Sequence, residues 1–383
     1  MPDQYSELEV RIHSIGAEVG QYHVEAELDD VPIGQGQLSL DQQQLLLAEL
    51  DPIAYGQLLF NALFSGAMRD AYNQARGKAD VQTEGLLRVR LRIEEKAAEL
   101  HALPWERLYH IHKGQLVPLA VSSSTPFSRY LPVPGAVSSA TSERPVRLLV
   151  ALSNPSGLPE GMAPVDVEAE IENLYRALGD LRRTGQVQVT FLPGHTLLTP
   201  QLVVRLQAEG YTVIEDHVER VTSLDNIVRH LPGHHILHFI GHGHFRRTSK
   251  RGPGNAALYL ERAEGGWEAV RDRELTARLG SVRPVLRLVV LSACESAARD
   301  PEGPFIGLGP KLVRAGIPAV VAMRERVPID VAQQFANGFY RRLLEHGAVD
   351  RALNEARNLL FDQEDVDWAI PVLFMHRGAG QLF

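Results

Sequence analysis

The feature that most constrains the fold of this chain is a set of short apolar runs of strand length that alternate with helical patterns. Val146–Ser153 (VRLLVALS), Val187–Leu192, His234–Ile240 (HHILHFI), Arg287–Ser292 (RLVVLS) and Pro318–Met323 (PAVVAM) are the clearest of them. Between them, Val167, Ile171, Leu174, Tyr175 and Leu178 share one helical face, Thr199 and Pro200 open a helix that stops at Gly210, and Phe305–Ala315 reads as another. Two amphipathic helices, Ile329–Glu345 and Val349–Phe361, and a strand near Trp368–Met375 complete the pattern. Strands that do not alternate polar with apolar residues are buried on both faces, so the pattern predicts an α/β fold, a mostly parallel sheet with helices on both faces. In such a sheet, binding and catalytic groups collect beyond the carboxyl ends of the strands.

The earlier part of the chain reads differently. Leu8, Val10 and Ile12, then Tyr22, Val24, Ala26 and Leu28, alternate with polar residues, which predicts a hairpin with one wet face. Asp51 can cap a helix ahead of Pro52, with an expected run to Gly77. In the next strand, Leu87, Val89, Leu91 and Ile93 alternate with Arg88, Arg90 and Arg92, and the arginines read as its solvated face. Residues 131–145 are rich in proline, serine and glycine and read as a linker. The expected organisation is a smaller α+β accessory or regulatory domain over 1–130, a linker over 131–145, and a main domain over 146–383.

Composition removes several functional classes. The 383 residues carry 39 basic against 47 acidic side chains, for a formal net charge of −8. A spread of mild acidity does not suit a duplex nucleic-acid binder, which needs a clustered basic face. No apolar run approaches the ~20 residues of a membrane-spanning helix, and Met1–Val10 lacks the apolar core of a secretory signal. A single cysteine forms no internal disulfide, in keeping with a reducing cytosol, so a cytoplasmic protein is expected.

Two strand ends carry candidate chemistry. They are His238-Phe239-Ile240-Gly241-His242-Gly243-His244 and Leu291-Ser292-Ala293-Cys294-Glu295-Ser296, each with a reactive side chain just past an apolar run, where the chain is expected to turn. Cysteine attacks as thiolate, and an imidazole can take its proton, so His242 is the natural base for Cys294. Gly243, without a side chain, lets its N–H approach a carbonyl and stabilise an oxyanion together with the N–H of Cys294. A lone cysteine at a strand end is also what a small buried hydrophobe looks like. The coincidence in order and separation, 52 residues, close to the ~50 between histidine and cysteine in caspases, points to a peptidase.

GHGHF after HHILHFI, and VVLSACES, resemble the His-Gly and Cys motifs of the CHAT-domain peptidases, relatives of caspases, metacaspases, gingipains and separase. RLLVALSNP, PVDVEAEIENL, GIPAVVAM and WAIPVLFMH are similar to CHAT sequence as well, so the resemblance spans about Val146 to Phe383. RLRIEEKAAELHALPWERLYH, followed by TPFSRYLPVP, resembles the region that often precedes the catalytic domain. The resemblance implies a caspase-like fold with Cys294 as nucleophile, His242 as general base and acid, Gly243 as oxyanion donor, and no metal or organic cofactor. Cys294 is followed by Glu295-Ser296-Ala297, where many relatives have threonine or serine and then glycine.

Specificity is less legible. Metacaspases place an Asp two residues before the cysteine, where this chain has Ser292, so a basic P1 side chain is not implied. The loop after the first strand helps form the P1 pocket in these relatives, which makes Asp166 and Glu168 candidates, although acidic residues in a first helical turn also suit the helix dipole. Arg324 and Glu325, beyond the PAVVAM strand, are candidates for the cleft border. The resemblance further implies an intracellular endopeptidase that cuts a specific protein partner, answers to an activator or operon-encoded partner, and works in a prokaryotic defence or cell-death pathway. Two alternatives stand beside it: a catalytically silent signalling or scaffold module, and a metallo-hydrolase built on the cluster His230, His234, His235, His238, His242 and His244. The sequence leaves the oligomeric state open.

Overall fold

The structure is a computed structural model. It describes residues 4–15, 21–132, 140–160, 162, 164–246, 254–282, 285–293, 306–325, 327–362 and 365–383. Among these, the chain divides into two compact units, one of residues 4–131 with 350–373, the other of residues 132–246, 254–349 and 374–383.

In the first unit, β1 (Ser6–Ser14) and β2 (Gln21–Leu28) form the expected antiparallel hairpin, with Leu8, Val10, Ile12, Val24 and Leu28 buried on one face. A strand that the sequence analysis did not anticipate follows, β3 (Val31–Ser39), antiparallel to β2. Its VPIGQGQLS sequence has no clean alternation, and its proline is tolerated because β3 is an edge strand. Next come α1 (Gln42–Leu47), capped by Asp41, and α2 (Pro52–Leu63), where Asp51 accepts the N–H groups of Ile53 and Ala54. The single helix expected to run to Gly77 is broken. Its first part ends at Phe64, the chain turns through Gly66 at φ 51°, and α3 (Ala67–Gln82) begins anew. Strand β4 (Leu87–Ile93) lies parallel to β1, then β5 (Tyr109–His112) and β6 (Gln115–Pro118) make a small hairpin, and β7 (Phe127–Leu131) lies parallel to β4. The sheet order is β7-β4-β1-β2-β3.

The second unit carries the parallel sheet. Its elements are β8 (Val146–Leu152), α4 (Val167–Arg183), β9 (Val187–Leu192), α5 (Pro200–Ala208), β10 (Thr212–Val213), α6 (Leu224–His230), β11 (Ile236–Arg246), β12 (Asn255–Glu261), β13 (Trp267–Arg271), α7 (Asp272–Gly280), β14 (Leu288–Ala293), α8 (Gly309–Arg314), β15 (Ala319–Met323) and α9 (Ile329–His346). Strands run β10-β9-β8-β11-β14-β15, each pair parallel, while β12 and β13 form an antiparallel extension beside β11. Helices cover both faces. Leu237, Phe239, Val289 and Leu291 meet Leu224 and Ile227 of α6, Leu275 and Leu279 of α7, and Leu312 of α8. Strand alternation turns His238 to the other face, where it bonds Tyr340 of α9, and α9 packs along α4. The mostly parallel, helix-covered α/β sheet expected from the apolar runs is therefore present.

The remaining elements are α10 (Val349–Leu360), of which residues from Asp350 on belong to the first unit, and β16 (Pro371–His376). The polar side chains of α10 account for a second correction. Arg88 pairs with Asp350 at 2.6 Å and with Glu7 at 3.4 Å, and Arg90 bonds Glu7 at 2.6 Å. Arg90 is only 4% exposed. Arg88 and Arg90, expected to face solvent, are instead largely covered and paired with the buried Asp350 and the partly exposed Glu7, while Arg92 stays partly exposed beside Glu94; periodicity alone cannot reveal this, because a period of two identifies two faces without saying what covers each. Among the described residues, no helix is long and apolar enough to cross a membrane.

Candidate active site

Strands β11 and β14 lie side by side in parallel, with Ile236 opposite Leu288, Ile240 opposite Ser292 and Gly241 opposite Ala293. The two candidate strand ends thus share one edge of the sheet, the carboxyl edge at which open α/β sheets place their chemistry. One expectation fails: β11 does not turn after Ile240. It runs on to Arg246, exchanging its parallel neighbours for the antiparallel partner β12, which supplies hydrogen-bond partners where a turn was expected. His242 sits at that exchange, opposite Tyr259, and is fully buried. Gly243 is half-buried opposite Leu258, and His244 is exposed.

Cys294, with Glu295, Ser296 and Ala297, lies outside the described residues, as do residues 247–253 of the basic loop between β11 and β12. Ser292 is half-buried near the end of β14. Asp166 is the N-cap of α4, its carboxylate accepting the Ala169 N–H at 3.1 Å, and Glu168 in the first turn accepts the N–H of Thr199 at the start of α5. Both acids are thus engaged with helix starts. Arg324 and Glu325 follow β15 with 3.6 Å between their charged groups; the Arg324 side chain is 14% exposed and that of Glu325 52%.

The neighbouring histidines are held in separate ways. His238 Nδ1 lies 3.0 Å from the Tyr340 hydroxyl, and burial lowers its pKa to about 4. His235 accepts the Arg147 N–H on Nδ1 at 3.0 Å and faces Glu143 with Nε2 at 3.0 Å; burial lowers its pKa more than Glu143 raises it. His234 reaches Thr190 at 3.2 Å. Among the described residues, no group of three or more His, Cys, Asp or Glu is arranged to hold a metal ion.

Sequence reasoning missed Glu261, the last residue of β12. It is fully buried, and its carboxylate accepts backbone N–H groups of Asn154 at 3.1 Å, His195 at 2.8 Å and Thr222 at 3.1 Å. Desolvation raises its pKa, against the opposing pull of those N–H groups. The signal that could have found it is a charged residue closing the apolar run AALYLE. Nearby, Ser153 donates to the Tyr259 carbonyl at 2.9 Å, which ties the end of β8 to the residue opposite His242.

No curated protein matches the sequence. Among solved structures, the chain is similar to a chain of the Saccharomyces cerevisiae separase–securin complex, with 12% identity and a TM-score of 0.41 over 92% of this chain and 21% of that one. It is also similar to the complex of Porphyromonas gingivalis RgpB pro- and mature domains, with 10% identity and a TM-score of 0.40 over 89% of this chain and 78% of that one. This chain therefore spans only 21% of the length of the first of these relatives. A sequence profile of the CHAT domain matches residues 54–376, from α2 to β16, and so the chain belongs to the CHAT-domain family.

Proposed function

We propose that this CHAT-domain protein is a cysteine endopeptidase in which Cys294 is the nucleophile and His242 the general base and then acid. One observation carries the reading. The last register pair between the adjacent parallel strands β11 and β14 is Gly241 with Ala293, and the next residue in each sequence is His242 and Cys294 respectively. Family membership supports it independently.

In the chemistry this implies, the imidazole takes the thiol proton and the thiolate attacks the scissile carbonyl. The N–H groups of Gly243 and Cys294 stabilise the oxyanion, the protonated imidazole gives its proton to the leaving amine, and water releases the acyl group. Metal and organic cofactor have no role in it. Ser292, Arg324 and Glu325 would border the cleft, with Asp166 and Glu168 contributing from the start of α4. The substrate is a specific protein partner, cut after an activating signal in a cytoplasmic defence or cell-death circuit, and residues 1–130 serve regulation. A second reading, a silent binding module, draws on the complete burial of His242; a latent enzyme that opens on activation accounts for the same burial.

Incubation with a fluorogenic peptide library tests the reading. Cleavage by the wild type, lost in Cys294→Ala and reduced about 10²- to 10⁴-fold in His242→Ala, is the expected result. Cleavage that survives Cys294→Ala would remove the nucleophile assignment.

A further inference from the structure

We propose, on the peptidase reading above, that Glu261 is a positioning residue for substrate recognition: it locks together the segments that follow β8, β9 and β10 and so fixes one wall of the cleft beside His242. The sheet order β10-β9-β8-β11 puts those three strand ends in a row on one side of β11. Asn154 follows β8, His195 follows β9 and Thr222 lies in the segment after β10, and the backbone N–H of each points at the one carboxylate. Glu261 returns its own N–H to the Thr222 carbonyl at 3.1 Å.

A second tier of bonds spreads the lock through the same segments. Asn154 Oδ1 accepts the Val165 N–H at 2.9 Å, where the chain enters α4, and the Thr222 hydroxyl donates to the Leu152 carbonyl at 2.7 Å. Gly194 completes it. A Cβ there would stand 2.3 Å from Glu261 Oε1, and its φ of 72° already requires glycine. Because Glu261 is two residues beyond Tyr259, the partner of His242 in the ladder, the wall and the candidate base are set by one strand.

The chemistry argues for recognition over bulk stability. A buried carboxylate is costly, and hydrogen bonds from N–H groups offset that cost without making it a better source of stability than an apolar side chain. What a carboxylate supplies is two oxygens that several backbone segments can share, and therefore a fixed geometry among segments far apart in sequence. Glutamine in its place keeps one acceptor oxygen but turns an amide N–H₂ toward an N–H donor, opening part of the lock while preserving shape.

The test compares full-length wild type, Glu261→Gln and Gly194→Ala in hydrolysis of a fluorogenic peptide library and in amide hydrogen exchange. The expected result is KM raised about tenfold with kcat within about threefold, faster exchange around residues 154, 195 and 222 together, and a double variant little worse than either single one. Gly194→Ala strains the lock from the opposite side and keeps the carboxylate, so the test stands if Glu261→Gln fails to fold. A fall in kcat at constant KM, or unchanged exchange in the three segments, overturns the proposal. A wild type that cleaves no peptide, with exchange responding as expected, removes the recognition role for this state of the chain while the lock itself stands; unchanged exchange removes the lock whether or not the chain cleaves, so the two failures are distinguishable.

Discussion

The Tyr340 hydroxyl holds His238 in the core, on the same strand face as the candidate base His242. The His238 pKa is lowered from 6.5 to about 4 by desolvation. The unfolded chain therefore takes up a proton near pH 6.5 that the folded chain refuses until about pH 4. The neutral imidazole contributes stability in full above pH 6.5, and that contribution is lost as pH falls to 4, about 3 kcal/mol in all. Urea midpoints between pH 7 and 4 should fall less steeply in His238→Gln, which can still bond Tyr340; an unchanged slope would show that His238 is not the group responsible. Glu106 and Arg129 form a second buried pair, 0% and 1% exposed, with Arg129 also bonded to the His101 and Leu103 carbonyls. Desolvation pushes the Glu106 carboxyl up, but Arg129, together with Arg357 and a backbone hydrogen bond, outweighs it and holds the pKa below the usual range. Glu106→Gln leaves a buried guanidinium without its counter-charge and should cost about 3–5 kcal/mol, read as a lowered urea midpoint; a loss under about 1 kcal/mol would mean that the pair behaves like a surface one. Partners such as Tyr340 and Arg129 lie far away in sequence, which is why residue type and spacing could nominate His242 as a candidate but could not assign partners to Glu106, His238 or Glu261.

Elements were legible wherever hydrophobic period and end signals agreed. The apolar runs of β8, β9, β14 and β15, and the Asp51-Pro52 start of α2, appear within a residue or so of where the sequence puts them. Legibility failed where tertiary contact overrides the local pattern. The outer face of β4 meets Glu7 and Asp350, β11 continues because β12 is there to pair with it, and β3 depends on glycine for a reason invisible in its own period. A Cβ on Gly34 would come within 2.7 Å of the Ala71 Cβ on α3, so the bare glycine lets the helix lie close against the strand. Gly34→Ala should therefore destabilise the protein by about 1–3 kcal/mol. Thermal unfolding measures it, and an unchanged midpoint would mean that α3 shifts freely.

At the scale of the molecule, the chain does not complete its first unit before starting its second. Residues 350–373 rejoin residues 4–131, and the CHAT profile likewise starts at residue 54, well before the linker that the sequence suggests. Within the first unit, Asn354 bonds the Phe127 N–H and the Ser122 and Thr125 carbonyls, and Arg357 bonds the Pro371 carbonyl and Asn354. Asp350, Asn354 and Arg357 are all fully buried. A fragment of residues 146–383 deprives Asp350 and Asn354 of their strand partners, so it should be insoluble or lack a cooperative unfolding transition; a fragment that unfolds as sharply as the whole chain would contradict this. Composition and periodicity located the sheet edge, and the single cysteine now makes the central claim testable in one step. The most direct measurement is intact mass after incubation with a peptidyl acyloxymethyl ketone under conditions in which the chain cleaves peptide. The account predicts one adduct per chain, mapped to Cys294, formed in step with loss of cleavage and slowed about 10²-fold or more by His242→Ala. Cleavage that persists on fully modified protein, or labelling as fast without His242 as with it, would contradict the dyad.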